Sequence, residues 1–488
     1  MTPFPYHIFR KYDIRGVYGK ELTEELFFRI ARAFAGMCRE RSGKEGPVVA
    51  IGMDARIHSP QLRDAFASGL EASGCSWIDI GLCPTPLTYF SSFTLGVDAF
   101  AMITASHNPP GDNGLKLGVG RDTIHSGDLE LLGKLAGADE EPVNPAAAEP
   151  FKRVDIIRAY QEYILEAFSE LGKALRLLGK GIDIVVDSGN GTAGIVLPAI
   201  LKKLGVTVHE LYSEPDGTFP NHHPDPTLPE ALESLKAEIM RTGSRLGISF
   251  DGDADRIGVL DERGEIIWGD LLLLILGRDI IGQWKKEGGH GEPPLVISEV
   301  KASQILYDGI RQAGGRVEMW KTGHSLIKAR MKENGAAVAG EMSGHLFFAD
   351  RYFGFDDALY GALRILEVYI LALLDGTCEH FSDLLRDIPE TVSTPEIRFP
   401  CEEDNKFRLV ERFAKALDEH MKASADPPII EIIDIDGVRA RFEEGWGLLR
   451  ASNTQPVLVM RFEGPDEEKT KQYQDLFNGL LEKAEKSV

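Results

Sequence analysis

Along the chain, short apolar runs alternate with longer stretches in which apolar positions recur every three or four residues, the pattern of strands followed by helices. In the first part, residues 48–52 predict a strand, 59–73 a helix capped by Ser59 with Pro60 in its first turn, and 77–80 a strand; a helix over 85–95 then leads to the apolar strand 99–103. The second part repeats the alternation with strand 182–186, helix 193–204, strand 206–211, helix 228–242 and strand 246–250. The third runs through strand 295–298, helix 303–313, strand 316–320, helix 325–334 and strand 336–339. Strands that alternate with helices predict parallel sheets covered on both faces. Between the first two parts, a Pro/Ala/Glu-rich stretch at 138–150 predicts a surface crossing, followed by one long amphipathic helix over 154–171.

From about Thr391 the pattern changes to a strand, a helix over 406–423, hairpin-like segments at 429–442 and 447–451, the strand 457–462 and a closing helix from Glu467. The expected fold is therefore α/β: three similar mixed α/β domains with sheets covered by helices, plus a C-terminal α+β domain, around a central cleft. The domains divide as 1–152, 153–260, 261–384 and 385–488. Ahead of the first helix, which begins near Thr23, Phe9-Arg-Lys-Tyr-Asp-Ile-Arg-Gly16 gathers aromatic and cationic residues that can close over a ligand.

Length and charge narrow the class. A chain of 488 residues, 43% hydrophobic and 27% charged, is too long for one core. Its net charge of −22 argues against broad nucleic-acid contact, so any phosphorylated ligand needs a local cationic site. The five cysteines form no C-x-x-C pair and fit small buried side chains in a reducing compartment. The most apolar helical stretches, 271–281 and 359–374, contain Arg278, Asp279, Arg364 and Glu367, which disfavours a membrane span, and nothing at residues 1–10 resembles a signal peptide. A cytoplasmic protein is expected.

Three of the apolar strands end in polar loops. Asp251-Gly-Asp-Ala-Asp-Arg256 alternates three carboxylates, hard oxygen ligands of the kind Mg²⁺ takes, unless the segment is a solvated acidic turn; Arg256 suits a phosphate or carboxylate ligand beside the metal. Ser106 and His107 follow the strand 99–103 as an exposed nucleophile beside an imidazole, or as a helix cap and a surface histidine, and Lys116 can serve the same loop. Glu341, Ser343 and His345 alternate as a lining for sugar hydroxyls or as a loop network satisfied within itself. Arg450-Ala-Ser-Asn-Thr454 suits a non-reacting phosphate, or is a turn. One motif points elsewhere: Gly189-Asn-Gly-Thr-Ala-Gly194 with Glu210 fits the dinucleotide fingerprint of an oxidoreductase, but leaves the other loops without a task.

Taken together, Tyr12-Asp-Ile-Arg15, Thr104-Ala-Ser-His-Asn-Pro109, the aspartate loop, Lys321-Thr-Gly-His324, Gly340-Glu-Met-Ser-Gly-His345 and Arg450-Ala-Ser-Asn-Thr454 resemble the α-D-phosphohexomutase superfamily, specifically its phosphomannomutase/phosphoglucomutase group. The resemblance implies a phosphoserine at Ser106 and one Mg²⁺ per chain, held by that group with Asp251, Asp253 and Asp255. It implies a mobile fourth domain and a hexose 1,6-bisphosphate that serves as intermediate and activator. His324, His107, Lys116 and Arg15 are the candidates for the proton transfer; a histidine has the best-matched pKa, which favours His324, with Lys116 and Arg15 stabilising the moving phosphoryl group and His107 ordering the serine loop. Tyr12, Arg256, Lys301, Gly323, His324, Glu341, Ser343 and His345 would bind the sugar phosphate, with Arg450, Ser452, Asn453 and Thr454 on the distal phosphate. Ala254 stands where the resemblance leads one to expect glycine. The substrates implied are small sugar phosphates, mannose or glucose, bound by a monomer with no nucleic-acid or membrane partner. Phosphoglucosamine mutase is the alternative within the superfamily.

Overall fold

In the computed structural model, which describes residues 4–138, 152–452 and 456–486, the alternation folds into four successive sheets. The first three share one plan. Parallel strands run in the order Ser76–Leu82, Val48–Met53, Ala99–Ile103, and Asp112–Val119 then pairs antiparallel with the last of them. The second sheet repeats this with Thr207–Leu211, Asp183–Asp187 and Leu246–Phe250, then antiparallel Ile257–Asp261. In the third, Arg316–Trp320, Leu295–Glu299 and Val338–Gly340 are followed by antiparallel Leu346–Phe348.

The antiparallel strand corrects the expectation of purely parallel sheets, and the reason is loop length. A parallel return needs a crossover of roughly a dozen residues or more. The connections 104–111, 251–256 and 341–345 are shorter, so the chain must turn straight back. Each polar loop is thereby fixed at the carboxyl end of a central strand that is buried along its whole length. In the first sheet, Ile14–Val17 adds a further antiparallel strand beside Asp112–Val119, which carries Arg15 to the serine loop.

Three helix boundaries also differ from the sequence pattern. The segment 154–171 forms two helices, Ile156–Ala167 and Ser169–Leu178, because Phe168 leaves helical geometry and packs its ring 5.2 Å from that of Tyr360, so the apolar stripe turns a corner. Residues 193–204 and 228–242 each open with a short 3-10 turn ahead of the true helices Leu197–Leu204 and Glu233–Thr242. Ser59 is not a cap: the helix is capped from His58, and the Ser59 hydroxyl donates to Asp54 at 2.7 Å.

One apolar core runs from Leu87, Phe90 and Phe100 of the first domain through Val186 and Ile248 of the second to Leu306 and Leu363 of the third. The fourth domain is α+β as expected. Its strands Val438–Arg441, Trp446–Ala451 and Val457–Gly464 are antiparallel, and helices Glu403–Lys422 and Glu467–Lys486 pack together on them around a separate core of Phe413, Phe462 and Phe477. Cys38, Cys75, Cys83 and Cys378 are buried. Among the described residues no helix is long and apolar enough to cross a membrane.

Candidate active site

The serine loop is held by arginines. Ser106 is left-handed, with φ of 52°, and its amide donates to Thr104 Oγ1 at 2.8 Å. A non-glycine residue there is strained and persists only where its surroundings hold it. The guanidinium of Arg56, fully buried at the end of strand Val48–Met53, donates to the carbonyls of Ser106, Asn108, Pro109 and Asp112 at 2.6–2.9 Å. Asp54 pairs with it at 3.2 Å. Arg15 adds bonds to the Ala105 carbonyl and Asn108 Oδ1. Sequence reasoning missed Arg56; the signal was the couple Asp54-Ala-Arg56 at a strand's carboxyl end.

From this elbow the Ser106 hydroxyl donates to Asp251 Oδ2 at 2.5 Å and lies 3.0 Å from His107 Nδ1. The carboxylates of Asp251, Asp253 and Asp255 are all buried, with oxygens within 4.8 Å of one another. Lys116, on the antiparallel strand of the first sheet, donates to Asp253 at 2.7 Å and also to Asp255. Thr85, also missed from sequence, starts the next helix and holds Asp253 twice, by its hydroxyl at 2.5 Å and its amide at 2.8 Å.

Electrostatics show what the cluster lacks. Burial, with Asp255 and Asp253 alongside, pushes the Asp251 carboxyl well above the usual range. Against burial, Lys116 and His345 hold Asp255 well below it. The three carboxylates are so crowded that one of them keeps a proton, and Asp253 Oδ1 is buried without a hydrogen-bond partner among the described residues. Three hard oxygen donors, one of them denied its charge by its neighbours, and an unused lone pair fit a divalent cation.

The third loop packs on the second. Arg256 and His345 form an antiparallel bridge, and Ile257 donates its amide to the Gly344 carbonyl at 3.1 Å. Gly344 has φ of 92°, and a Cβ there would fall 2.2 Å from the Ile257 carbonyl, so only glycine permits this approach. His345 bridges Asp255 at 3.2 Å and Glu341 at 2.9 Å; burial pulls its imidazole down, yet these two carboxylates hold it up at about 9. Glu341 also accepts the Gly323 amide at 2.8 Å, and Ser343 lies 3.3 Å from His345. His324 begins its helix with its ring 5.8 Å from those of both His345 and Tyr12; burial, then Lys328 and His345, keep it neutral far below its ordinary range. His107 is likewise held low, by burial and by Arg256 and Arg15.

The remaining predicted residues occupy a second rank. Tyr12 donates to the Thr322 carbonyl at 2.7 Å, the Thr322 amide donates to Asp436, and Asp436 pairs with Arg450 at 3.0 Å. Arg450 Nε is buried without a hydrogen-bond partner among the described residues. Lys301 donates to Glu396 at 2.9 Å and lies 3.5 Å from Glu299. The Ser452 carbonyl accepts from Lys406. Asn453 and Thr454 lie outside the described residues. The dinucleotide motif is spent on packing: Cβ atoms at Gly191 and Gly194 would sit 2.7 Å and 2.1 Å from the carbonyls of Gly252 and Ser213, and Glu210 pairs with Lys202.

Comparison with known proteins agrees along the whole chain. Family models described as phosphoglucomutase/phosphomannomutase match in four parts: alpha/beta/alpha domains I, II and III at residues 7–128, 158–264 and 268–391, and the C-terminal domain at 396–479. The phosphomannomutase/phosphoglucomutase of Pseudomonas aeruginosa is 39% identical over 484 residues, which cover 99% of this chain and 97% of that protein. The phosphoglucomutase of Neisseria gonorrhoeae is 39% identical over 477 residues, 97% of this chain and 96% of its own. A crystal structure of a phosphoglucomutase/phosphomannomutase family protein from Burkholderia thailandensis superposes with a TM-score of 0.84 at 35% identity, covering 98% of each chain.

Proposed function

The chain belongs to the phosphoglucomutase/phosphomannomutase family, and on that premise we propose that it interconverts hexose 1-phosphates and hexose 6-phosphates of glucose and mannose through a phosphorylated Ser106. The observation that carries this reading is the strained Ser106 hydroxyl set 2.5 Å from the first of three mutually crowded, buried carboxylates. When bound there by Asp251, Asp253, Asp255 and an oxygen on Ser106, one Mg²⁺ supplies the positive charge that phosphoryl transfer requires.

The chain's own residues do the rest. Arg56 and Arg15 hold the donor serine still, and Lys116 keeps Asp253 and Asp255 in place. A sugar hydroxyl attacks phosphorus, the P–Oγ bond breaks to leave the Ser106 oxygen as an alkoxide, and the hydroxyl proton passes to the neutral imidazole of His324; when that alkoxide takes back the other phosphoryl group, His324 returns the proton to the sugar oxygen released. His345 orients Glu341, which with Ser343 and the Gly323 backbone receives the sugar hydroxyls. Tyr12, Arg256 and Lys301 complete the sugar-phosphate site, and Arg450, with Ser452, Asn453 and Thr454, takes up the phosphate that is not reacting. Because one serine must serve both ends of the sugar, the hexose 1,6-bisphosphate turns within the cleft between the two transfers.

Ser106→Ala tests this. Turnover of glucose 1-phosphate and mannose 1-phosphate should fall roughly 10⁴-fold or more, while calorimetry finds glucose 6-phosphate binding little changed. Intact mass of the wild-type chain should show one phosphate that the variant lacks; a variant that keeps most of its kcat removes the phosphoserine. Glucosamine 1-phosphate turned over in preference to both hexose phosphates would make the protein a phosphoglucosamine mutase.

A further inference from the structure

Two helices carry active-site residues at their first positions. Thr85 opens Thr85–Thr94 and clamps Asp253; His324 opens His324–Asn334 beside the sugar loop. Farther along, the same two helices border a cavity of about 970 Å³ between the first and third domains. Its mouth lies away from the catalytic loops, while its inner end reaches Lys328, whose partner Asp356 has a carboxylate oxygen within 4.8 Å of ligand atoms of Asp255 and His345. Gly335, Ala336 and Ala337, which line it, precede the strand Val338–Gly340, whereas the polar loops leave the other ends of the strands.

Its walls are aromatic. Phe93 and Phe353 stand 4.6 Å apart between ring centroids, with Phe100 and Phe355 beside them. Its inner end holds polar groups: Tyr89, whose buried hydroxyl has no hydrogen-bond partner among the described residues, and Lys328, which lies 4.2 Å over the Tyr89 ring and donates to Asp356. At the mouth, Lys332 pairs with Asp122 and Arg41 with Asp128. Arg121 differs: its guanidinium lies 4.7 Å over the Phe93 ring and makes no ion pair among the described residues. The volume, with an aromatic wall facing charged side chains of both signs at the mouth, is that of a small-molecule site.

We propose that this cavity is a second ligand site, for a small molecule with a flat aromatic body and an anionic group, and that its occupant lowers mutase turnover by wedging apart the helices that carry Thr85 and His324. The aromatic body lies against the Phe93–Phe353 pair, whose rings already touch, and the anionic group meets Arg121 at the mouth. The Lys332–Asp122 pair spans the two domains at the mouth, so an occupant changes their separation there, and the rigid helices transmit the change to the catalytic ends. The regulatory half rests on the mutase reading; the binding half does not.

The probe is 8-anilinonaphthalene-1-sulfonate, titrated by fluorescence into the full chain. One saturable site is expected, at least tenfold weaker in Arg121→Glu and abolished in Ala329→Trp, which fills the cavity from an exposed position. Saturating probe should lower kcat at least twofold and leave KM for glucose 1-phosphate unchanged. Arg121 is exposed, so its variant keeps the test open if Ala329→Trp does not fold. Binding unaffected by Arg121→Glu, equal binding of the uncharged N-phenyl-1-naphthylamine, or displacement of the probe by glucose 1,6-bisphosphate would each overturn the site. Unchanged kcat with the site filled would overturn its regulatory role alone.

Discussion

The joint between the second and third domains and the joint between the third and fourth are built from different materials. At the first, backbone meets backbone through the active site: the Ile257 amide bonds the Gly344 carbonyl, Arg256 bridges His345, and both domains draw on one apolar core that also reaches the first domain. At the second, side chains do the holding. Arg439 donates to the Val300 and Ala302 carbonyls at 2.6 Å and 2.7 Å, Arg461 donates to Lys301, and Glu463 accepts from Ser303, Gln304 and Trp446. Among the described residues no backbone–backbone hydrogen bond crosses that joint, and the fourth domain has its own core. Backbone pairing fixes register, whereas long side chains can let go and re-form. On the proposed function, the chemistry therefore sits on the fixed side, and the distal phosphate grip on the side held by side chains. The pivot follows the same logic. Residues 381–388 are anchored by Ser382 to Glu262 and by Asp387 to Arg278 through two 3.0 Å bonds, so any turning falls to 389–391, which belong to no helix or strand.

Breaking the fixed joint should have the largest effect. Gly344→Ala places a methyl group against the Ile257 carbonyl at a left-handed position, and a displacement of about 1 Å at the reacting groups costs on the order of 100-fold in kcat; steady-state kinetics with retained far-ultraviolet circular dichroism would show it, and near-normal kcat would mean the backbone joint is not what aligns the loops. Asp253→Asn tests the same side at its metal ligands. It removes one ligand charge and should raise the Mg²⁺ concentration for half-maximal activity by about tenfold or more, and EDTA should silence the wild type; full activity in metal-free buffer would refute it. On the other side, Glu463→Ala strands Ser303 and Gln304 across the joint and the Trp446 indole beside it, and should weaken the joint by roughly 3 kcal/mol, seen as faster hydrogen exchange at 439–463 and a higher KM with kcat little changed. A fall in kcat equal to that in Gly344→Ala would erase the contrast between the joints. The smallest effect belongs to Ala254→Gly: Ala254 adopts φ of 57°, so glycine should stabilise the aspartate loop by about 1 kcal/mol or less, measured by chemical denaturation with activity preserved.

Much of the site was legible because it is local. A buried strand that must turn straight back leaves its polar residues in one short loop, and the serine, aspartate and histidine loops announce themselves in this way. The repeated strand–helix plan, the α+β tail and most strand positions were legible for the same reason. What escaped depends on groups far apart in sequence. The Arg56 clamp is written in four carbonyls, which a sequence does not display, and Thr85 acts on an aspartate of another domain. The corner at Phe168 is set by Tyr360, from the third domain. Ala254 was noticed as a departure, but only its left-handed backbone explains why glycine would be the easier residue there.

The Arg56 clamp has a consequence in time. On the proposed mechanism, a serine fastened through the carbonyls of its own loop cannot follow the sugar, so all rotation between the two transfers belongs to the bisphosphate. The yield of each encounter is then a contest between two first-order events, turning over and drifting away. Chemistry at Ser106 enters neither. Evolution can speed this catalyst at a fixed active site by adjusting only how long the fourth domain stays shut, and a variant whose kcat rises while bisphosphate leaks more often has shifted that contest, not the transfer itself.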